Sequence, residues 1–292
     1  MFALRAETLV LSLASVGLGS ALAAFAGSFR LGVALLCALT ASWLHLLCNL
    51  ANDYGDLQHG ADAINPVRPP SALQRQLISI VQTKRGIQWL LALSICTGAA
   101  LLWVAQLSVA EYVFFGALGV AAAASAVGYT MGRRPYGYRG WGDLAVFCFF
   151  GIVGVGGTFY LQTHRLELYL WGLPAASYGL LVQGVLHINN IRDLIYDAQA
   201  GKHTMAVVWG DRRARQIHCV VLVCSGVLSV WFLYLQANRL PWSFSALATL
   251  PWFVRHGRTV LHAPPSALTA ELQCLVKIIC AFTASLSVGM VL

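Results

Sequence analysis

Apolar residues run through this chain in long blocks, each closed by a short polar stretch. Nine blocks are long enough, or nearly so, to cross a bilayer: Leu9–Ala26, Leu31–Ala51, Ile87–Leu107, Tyr112–Gly128, Leu144–Gln162, Leu168–Ile188, Ile217–Gln236, Leu240–Val254 and Thr269–Leu292. About 20 apolar residues in helical conformation match the hydrocarbon thickness. The pattern predicts an all-α polytopic membrane protein of about nine transmembrane helices. The eighth block is short, which fits a tilted or half-buried segment. The first has small residues near its end, as a signal peptide does. However, Arg5 is balanced by Glu7 and a second block follows at once, so a retained first helix is expected.

Two polar interruptions differ from the rest. One is Asn49-Leu50-Ala51-Asn52-Asp53-Tyr54-Gly55-Asp56, with Asp62 beyond it; the other is Asn189-Asn190-Ile191-Arg192-Asp193-Leu194-Ile195-Tyr196-Asp197. Asn49 and Asp53 recur 140 residues later as Asn189 and Asp193, and five of the eleven acidic residues sit in these two places. Each stretch begins at the end of an apolar block and opens into a basic loop, about Asp53–Gly86 and Arg192–Gln216. Two more blocks then follow before the pattern restarts. Such a rhythm predicts two related halves with a shared site at their interface. The breakers Pro66, Pro69, Pro70, Gly201 and Gly210 fit short capping helices over the mouth of that site. One domain, 1–292, is expected, with motif loops at about 52–86, 129–143 and 189–216.

Composition and charge sharpen the class. The chain is 58% hydrophobic and 10% charged, far from the quarter of charged residues typical of soluble domains. The net charge of +8 does not indicate nucleic acid, because the cations fall in alternate loops. Arg68, Arg75, Lys84 and Arg85 follow block two, Arg133, Arg134 and Arg139 follow block four, Arg192, Lys202, Arg212, Arg213 and Arg215 follow block six, and Arg255 and Arg258 follow block eight. The other loops carry only Arg30, Arg165 and Arg239. This asymmetry places the N-terminus and the motif loops in the cytoplasm. The eight cysteines show no metal-binding or redox spacing and are read as inert thiols.

On a helix, Asn49, Asn52, Asp53 and Asp56 stand at i, i+3, i+4 and i+7 and share a face, as do Asn190, Asp193 and Asp197, with Asn189 alongside. Carboxylates converging in a membrane-like setting require compensating charge. Mg²⁺ supplies it through oxygen ligands, usually one or two carboxylates per ion together with substrate phosphates. Two acidic faces therefore fit Mg²⁺ ions clamping a diphosphate, with Arg68, Arg134 and Lys202 as candidate contacts to its outer oxygens. A polyprenyl diphosphate suits such a site, having a polar head and a lipid-like tail. Loss of the head leaves an allylic carbocation that a dry pocket protects from water. Aromatic faces stabilise cations, and Tyr129 and Tyr138, flanking Arg133-Arg134, are the candidates. The same acids also suit a cation or phosphate transporter. That reading is weaker, because they sit at helix ends and no pair of Gly/Pro-broken helices accompanies them.

These motifs resemble those of the UbiA superfamily of membrane prenyltransferases. The segment 49–56 with Gly60 and Asp62 resembles its first aspartate motif, most of all in the branch that prenylates 1,4-dihydroxy-2-naphthoate for menaquinone. Tyr129-Thr130 through Arg134-Pro135-Tyr136-Gly137-Tyr138, then Gly140, Gly142 and Asp143, resembles the middle loop. Asn189-Asn190-Ile191-Arg192-Asp193, Asp197, Gly201-Lys202, Thr204, Ala206-Val207 and Gly210 resemble the second aspartate motif. The likeness covers almost the whole chain. It implies helices around a central cavity open to lipid, and Mg²⁺-dependent attack of an aromatic ring on a polyprenyl diphosphate. In the naphthoate branch CO₂ is lost and a demethylmenaquinol forms.

By this resemblance Asn49, Asn52, Asp53, Asp56, Asp193 and Asp197 form the metal and diphosphate shell, with Asp62 at its edge and Asn189 and Asn190 beside it. Arg68, Arg134 and Lys202 take the phosphate contacts. Two departures bear on the acceptor. Arg5-Ala6-Glu7-Thr8-Leu9 stands where the branch has Arg-Pro, a basic residue and Thr-Leu, and Arg133 replaces a common asparagine. Other aromatic acceptors, such as 4-hydroxybenzoate, homogentisate or a secondary-metabolite ring, form the alternative. Asp143 is the candidate base, or a helix cap, and His187 the candidate acceptor contact. His45 and Lys277 carry no assignment. Prenyl chain length and oligomeric state have no signature in the sequence.

Overall fold

The computed structural model describes residues 6–60 and 65–292, apart from the side chains of Ala6 and Glu7. Arg5, the Glu7 side chain and Asp62, which figure in the expectations above, lie outside the described residues. The chain is helical from end to end: α1 Ala6–Phe25, α2 Leu31–Gln58, α3 Ile80–Ala105 and α4 Val109–Gly128 are followed by a 3₁₀ turn, Tyr136–Arg139. A continuous helix α5, Gly142–Thr163, comes next. Then follow α6 Leu168–Gln199, α7 Met205–Trp209, α8 Asp211–Leu235, a 3₁₀ stretch Pro241–Thr249, α9 Leu250–His262 and α10 Leu268–Val291.

Among the described residues, α1, α2, α3, α4, α5, α8 and α10 are long and apolar enough to cross a membrane. Helix α6 is longer, at 32 residues, but more polar because it carries the second acidic stretch. The short eighth block is completed by its 3₁₀ stretch. Nine residues at 3₁₀ rise plus thirteen at α rise give roughly 37 Å of length, enough to span. The described residues thus form nine rods in the expected order.

Start signals explain two helix boundaries. Ser79 with Gln82 and Ser108 with Glu111 form capping boxes, each side chain bonded to the other residue's backbone. Helix α3 accordingly begins a full seven residues before its apolar block. Helices α2 and α6 run past the ends of their apolar blocks to Gln58 and Gln199, so both acidic stretches are helical rather than loop. Of the expected capping helices, α7 forms after α6; the described part of the loop after α2 has turns only.

The largest apolar cluster joins α1, α5, α6, α8 and α10 through Leu18, Leu22, Phe159, Tyr178, Ile188 and Phe282. Helix α5 is wound as a π-helix over Phe147–Gly157 and meets α6 backbone to backbone. A methyl group at Gly151 would lie 2.5 Å from the Ala175 carbonyl oxygen, and one at Gly179 would lie 2.8 Å from that of Phe147. Large apolar side chains cover the outside: Trp89, Trp103 and Val109 are 70%, 75% and 82% exposed. In water such a surface would aggregate; in lipid it is the solvated face. Helix α4 buries only Ala126, so it forms a thin wall between lipid and interior.

Replacing Gly179 by leucine is predicted to cost about 1–3 kcal/mol through overpacking at this helix contact. A melting temperature several degrees lower in detergent, read by tryptophan fluorescence, checks this.

Candidate active site

The two acidic faces meet. Helix α2 buries Asp53 and Asp56, and α6 buries Asp193 and Asp197. The Lys202 ammonium spans the halves, 3.9 Å from Asp56 Oδ1 and 3.7 Å from Asp197 Oδ1. The loop after α2 reaches across as well: Asn65 Nδ2 donates to Asp193 Oδ1 at 2.8 Å. Arg68 bonds Asp56 Oδ2 at 2.9 Å and lies 3.8 Å from Asp53 Oδ1.

Local structure brings these groups together. Gly55 lets the chain after α4 pack directly on α2, where a methyl group would sit 2.6 Å from the Thr130 carbonyl oxygen. The Thr130 hydroxyl donates to the Ala51 carbonyl. This contact carries the 3₁₀ turn over the site, so that the Tyr138 hydroxyl donates to Asp56 Oδ1 at 3.0 Å. The turn is pinned from the other half by the His203 amide, which donates to the Tyr138 carbonyl. Lys202 stands 5.3 Å from the Tyr138 ring centre.

Arg192, buried within the second motif, makes a forked contact to Asp193 at 2.8 and 2.7 Å and donates to Asn189 Oδ1. By position in the sequence it is one of the cations after block six, and its place next to Asp193 inside a polar run is the signal for this role. Among the described residues, four buried carboxylates face Arg68, Arg192 and Lys202. Arg75, which also lines the cavity, makes four cations for the four acids. Asn52 Oδ1 is buried without a hydrogen-bond partner among the described residues. A buried carbonyl oxygen of this kind needs a cation or a donor. Hard oxygen donors from Asn49, Asn52 and the aspartates are the set that Mg²⁺ prefers.

The acids sit at one end of a cavity of about 1310 Å³ lined by α1 to α6 and by the start of α10. Asn49, Asn52, Asp53, Asp56, Arg68, Asn189, Asn190 and Lys202 line its polar end, together with Arg192. Leu91, Ile95, Leu102, Phe115 and Leu118 line the apolar body. Asp193 and Asp197 stand behind this lining. Tyr129 also lines the cavity, its ring 5.4 Å from that of Tyr136. Burial, reinforced by the Asp143 charge, pushes the Tyr129 phenol far above its usual range, so it stays protonated.

The remaining candidates lie elsewhere. Arg133 and Arg134 are exposed on the turn and outside the cavity lining. Asp143 and His187 are buried against each other, with His187 Nδ1 3.2 Å from Asp143 Oδ1. His187 Nε2 donates to the Ala214 carbonyl at 3.0 Å, so the contact with Asp143 requires a proton on the ring or on the carboxyl. Both side chains lie behind the lining. His45, which carries no assignment from the sequence, lines the cavity one helical turn from Asn49.

A family model described as "UbiA prenyltransferase family" matches residues 10–275. The chain belongs to the UbiA prenyltransferase family. It is 39% identical to the 1,4-dihydroxy-2-naphthoate octaprenyltransferase of Escherichia coli over 94% of this chain and 89% of that protein. Its fold matches the apo structure of a UbiA homolog from Aeropyrum pernix at a TM-score of 0.73 with 18% identity. It also matches a UbiA homolog from Archaeoglobus fulgidus bound to DMAPP and Mg²⁺, at 0.60 with 17% identity. Each of these two alignments covers 98% of both chains. As a UbiA-family protein with seven apolar helices of spanning length among its described residues, the chain is an integral membrane protein.

Replacing Arg192 by methionine strands Asp193 in a buried setting. It is predicted to destabilise the folded protein by about 3–5 kcal/mol. Loss of folded material in detergent, read by size-exclusion chromatography and thermal melting, checks this.

Proposed function

We propose that this UbiA-family enzyme, acting as one domain over its whole length, transfers a polyprenyl group from polyprenyl diphosphate to 1,4-dihydroxy-2-naphthoate. The naphthoate carboxylate leaves as CO₂, giving a demethylmenaquinol for menaquinone synthesis. The observation that carries this reading is the meeting of Asp56 and Asp197, from opposite halves, on the ammonium of Lys202. The relative in Escherichia coli supports the acceptor by its name, and the Archaeoglobus homolog supports a prenyl diphosphate with Mg²⁺ by its bound ligands.

The chain's own residues divide the work by position. Asn49, Asn52, Asp53 and Asp56 on α2, with Asp197 on α6, would hold Mg²⁺, and Asp193 would join them by exchanging its contacts with Arg192 and Asn65; Asp62 belongs at the edge of this set. When bound, Mg²⁺ neutralises the charge that grows on the departing diphosphate. Arg68 and Lys202, already in the pocket, donate to the diphosphate oxygens, with Asn189 and Asn190 beside them. Arg134, exposed on the turn, serves the outer phosphate only if that turn closes inward. The apolar body holds the tail and excludes water from the allylic carbon as its C–O bond breaks.

The Tyr129 ring faces the cavity as a neutral aromatic surface and stabilises the developing carbocation. The Tyr138 hydroxyl fixes the Asp56 carboxylate. A carbon of the naphthoate ring forms the new bond to the allylic carbon. The distribution of basic loops places the N-terminus and the motif loops in the cytoplasm, and the bacterial relative suggests the inner membrane.

Two outcomes test the reading in membranes supplied with polyprenyl diphosphate and 1,4-dihydroxy-2-naphthoate. Removal of Mg²⁺ by chelation is expected to stop product formation, and re-addition to restore it. Asp53→Asn and Asp193→Asn are each expected to lower turnover by about 100-fold or more, as losing about 3 kcal/mol of transition-state stabilisation would. Mass spectrometry of the extracted lipid gives the readout. Wild-type turnover in either variant would overturn the assigned roles; prenylation of 4-hydroxybenzoate but not of the naphthoate would overturn the acceptor.

A further inference from the structure

The lining residues of α2 recur on one face from Asp56 down to Cys37, so the cavity runs most of the length of that helix. Opposite the acids it is closed by apolar side chains, one from each of five helices: Val16 of α1, Cys37 of α2, Leu101 of α3, Phe115 of α4 and Leu161 of α5. Val33, Ala105 and Leu107 pack in the same cluster but outside the lining, so a second buried layer backs the first.

The helix ends are tied together beyond this plug. The Arg30 guanidinium, at the start of α2, donates to the Val104 and Ala105 carbonyls at the end of α3, at 2.7 and 3.0 Å. The Arg30 amide donates to Gln162 Oε1 of α5, and Gln162 Nε2 donates to Ser20 Oγ of α1. The Tyr160 hydroxyl of α5 donates to Glu111 in the first turn of α4. All five helices that supply the plug are thus joined at their ends, which holds the floor in place.

Between the acids and the floor, polar side chains bond within the protein. Thr8 and Ser12 bond His45, Ser15 donates to the Ser12 carbonyl, Thr40 to Thr97 and Ser94 to the Leu90 carbonyl. The space they leave suits a hydrocarbon. Lipid is as apolar as this wall, so a tail gains from the chamber by close packing rather than by leaving water. Fit, and therefore length, decides what the chamber holds. From Asn49 to Cys37 is twelve residues of α2, about 18 Å of helix. An isoprene unit adds four chain bonds, about 5 Å when extended at ordinary C–C lengths, so about four units reach the floor.

We infer that the plug is the floor of the tail site and seats the fourth isoprene unit of the prenyl diphosphate, so that later units leave sideways into lipid. This rests on reading the cavity as a prenyl-transfer chamber and adds how much of the tail it holds. Leu101, Val16 and Leu161 act here as length-determining contacts.

Photolabelling of the full-length protein in detergent with Mg²⁺ tests this. Prenyl diphosphates carrying a diazirine on the second, fourth or sixth unit are irradiated, and the labelled residues are mapped by mass spectrometry. The fourth-unit probe is expected to label Val16, Cys37, Leu101, Phe115 or Leu161, and the sixth-unit probe none of them. Fourth-unit labelling confined to lipid-facing side chains such as Trp89 and Trp103, or to detergent, would overturn the inference. A kinetic arm uses Leu101→Trp, which raises the floor. It is expected to shift the kcat/KM ratio of four-unit to two-unit donors about tenfold towards the shorter one. Leu101→Phe, a milder change, is expected to shift it the same way by about threefold. Thermal melting establishes that each variant is folded, and an unchanged ratio in both would overturn the inference. Labelling by every probe that excess unlabelled prenyl diphosphate fails to displace would instead overturn the reading of the chamber, and the inference with it.

Discussion

Four carboxylates are buried at one end of a hydrophobic helix bundle, and the rest of the structure serves their compensation. Taking ions out of water costs several kcal/mol each unless partners replace the lost solvation. Arg192 answers Asp193 within one helix, whereas Arg68 and Lys202 answer the others by reaching across from loops. The loop after α2, the turn after α4 and the loop after α6 are therefore fixed by the acids they neutralise. The same arrangement ties the two halves together: Asn65 and Lys202 each join a residue from one half to an acid of the other.

This arrangement suits a lipid-borne diphosphate better than transport. The acids stand at one end of the bundle, next to an apolar chamber. Chemistry at the junction takes place where a charged head and a greasy tail are both satisfied. A dry body protects an allylic cation, while the charged end receives the leaving group. The protonated Tyr129 phenol and the fixed Tyr138 hydroxyl belong to this junction, one as an aromatic face and the other as a holder of Asp56.

Much of this was legible in the sequence. The nine apolar blocks gave the helices, because lipid requires spanning segments to be uniformly apolar and internally hydrogen-bonded. The repeat of Asn49 and Asp53 as Asn189 and Asp193 pointed to a shared site, and the two faces do meet. Block ends misled where polar residues are satisfied inside a helix: α6 continues through Arg192 and Asp193 because the pair neutralises itself. The completeness of the eighth span was hidden in a 3₁₀ stretch, which leaves no hydrophobic periodicity. Arg133 and Arg134 stood beside the motif in sequence, yet their turn points them outward. His45 was passed over because a lone histidine in an apolar block looks the same whether it faces a helix or a cavity.

The central claim is that the two acidic helices bind one ligand jointly, and a binding cycle measures this directly. Binding of a non-reacting prenyl thiodiphosphate in Mg²⁺ is to be titrated calorimetrically for the wild type, Asp56→Asn, Asp197→Asn and the double variant. The account predicts strong coupling, each single change weakening binding nearly as much as the pair. Losses that simply add, or a Mg²⁺-dependent affinity untouched by neutralising either helix, would contradict it.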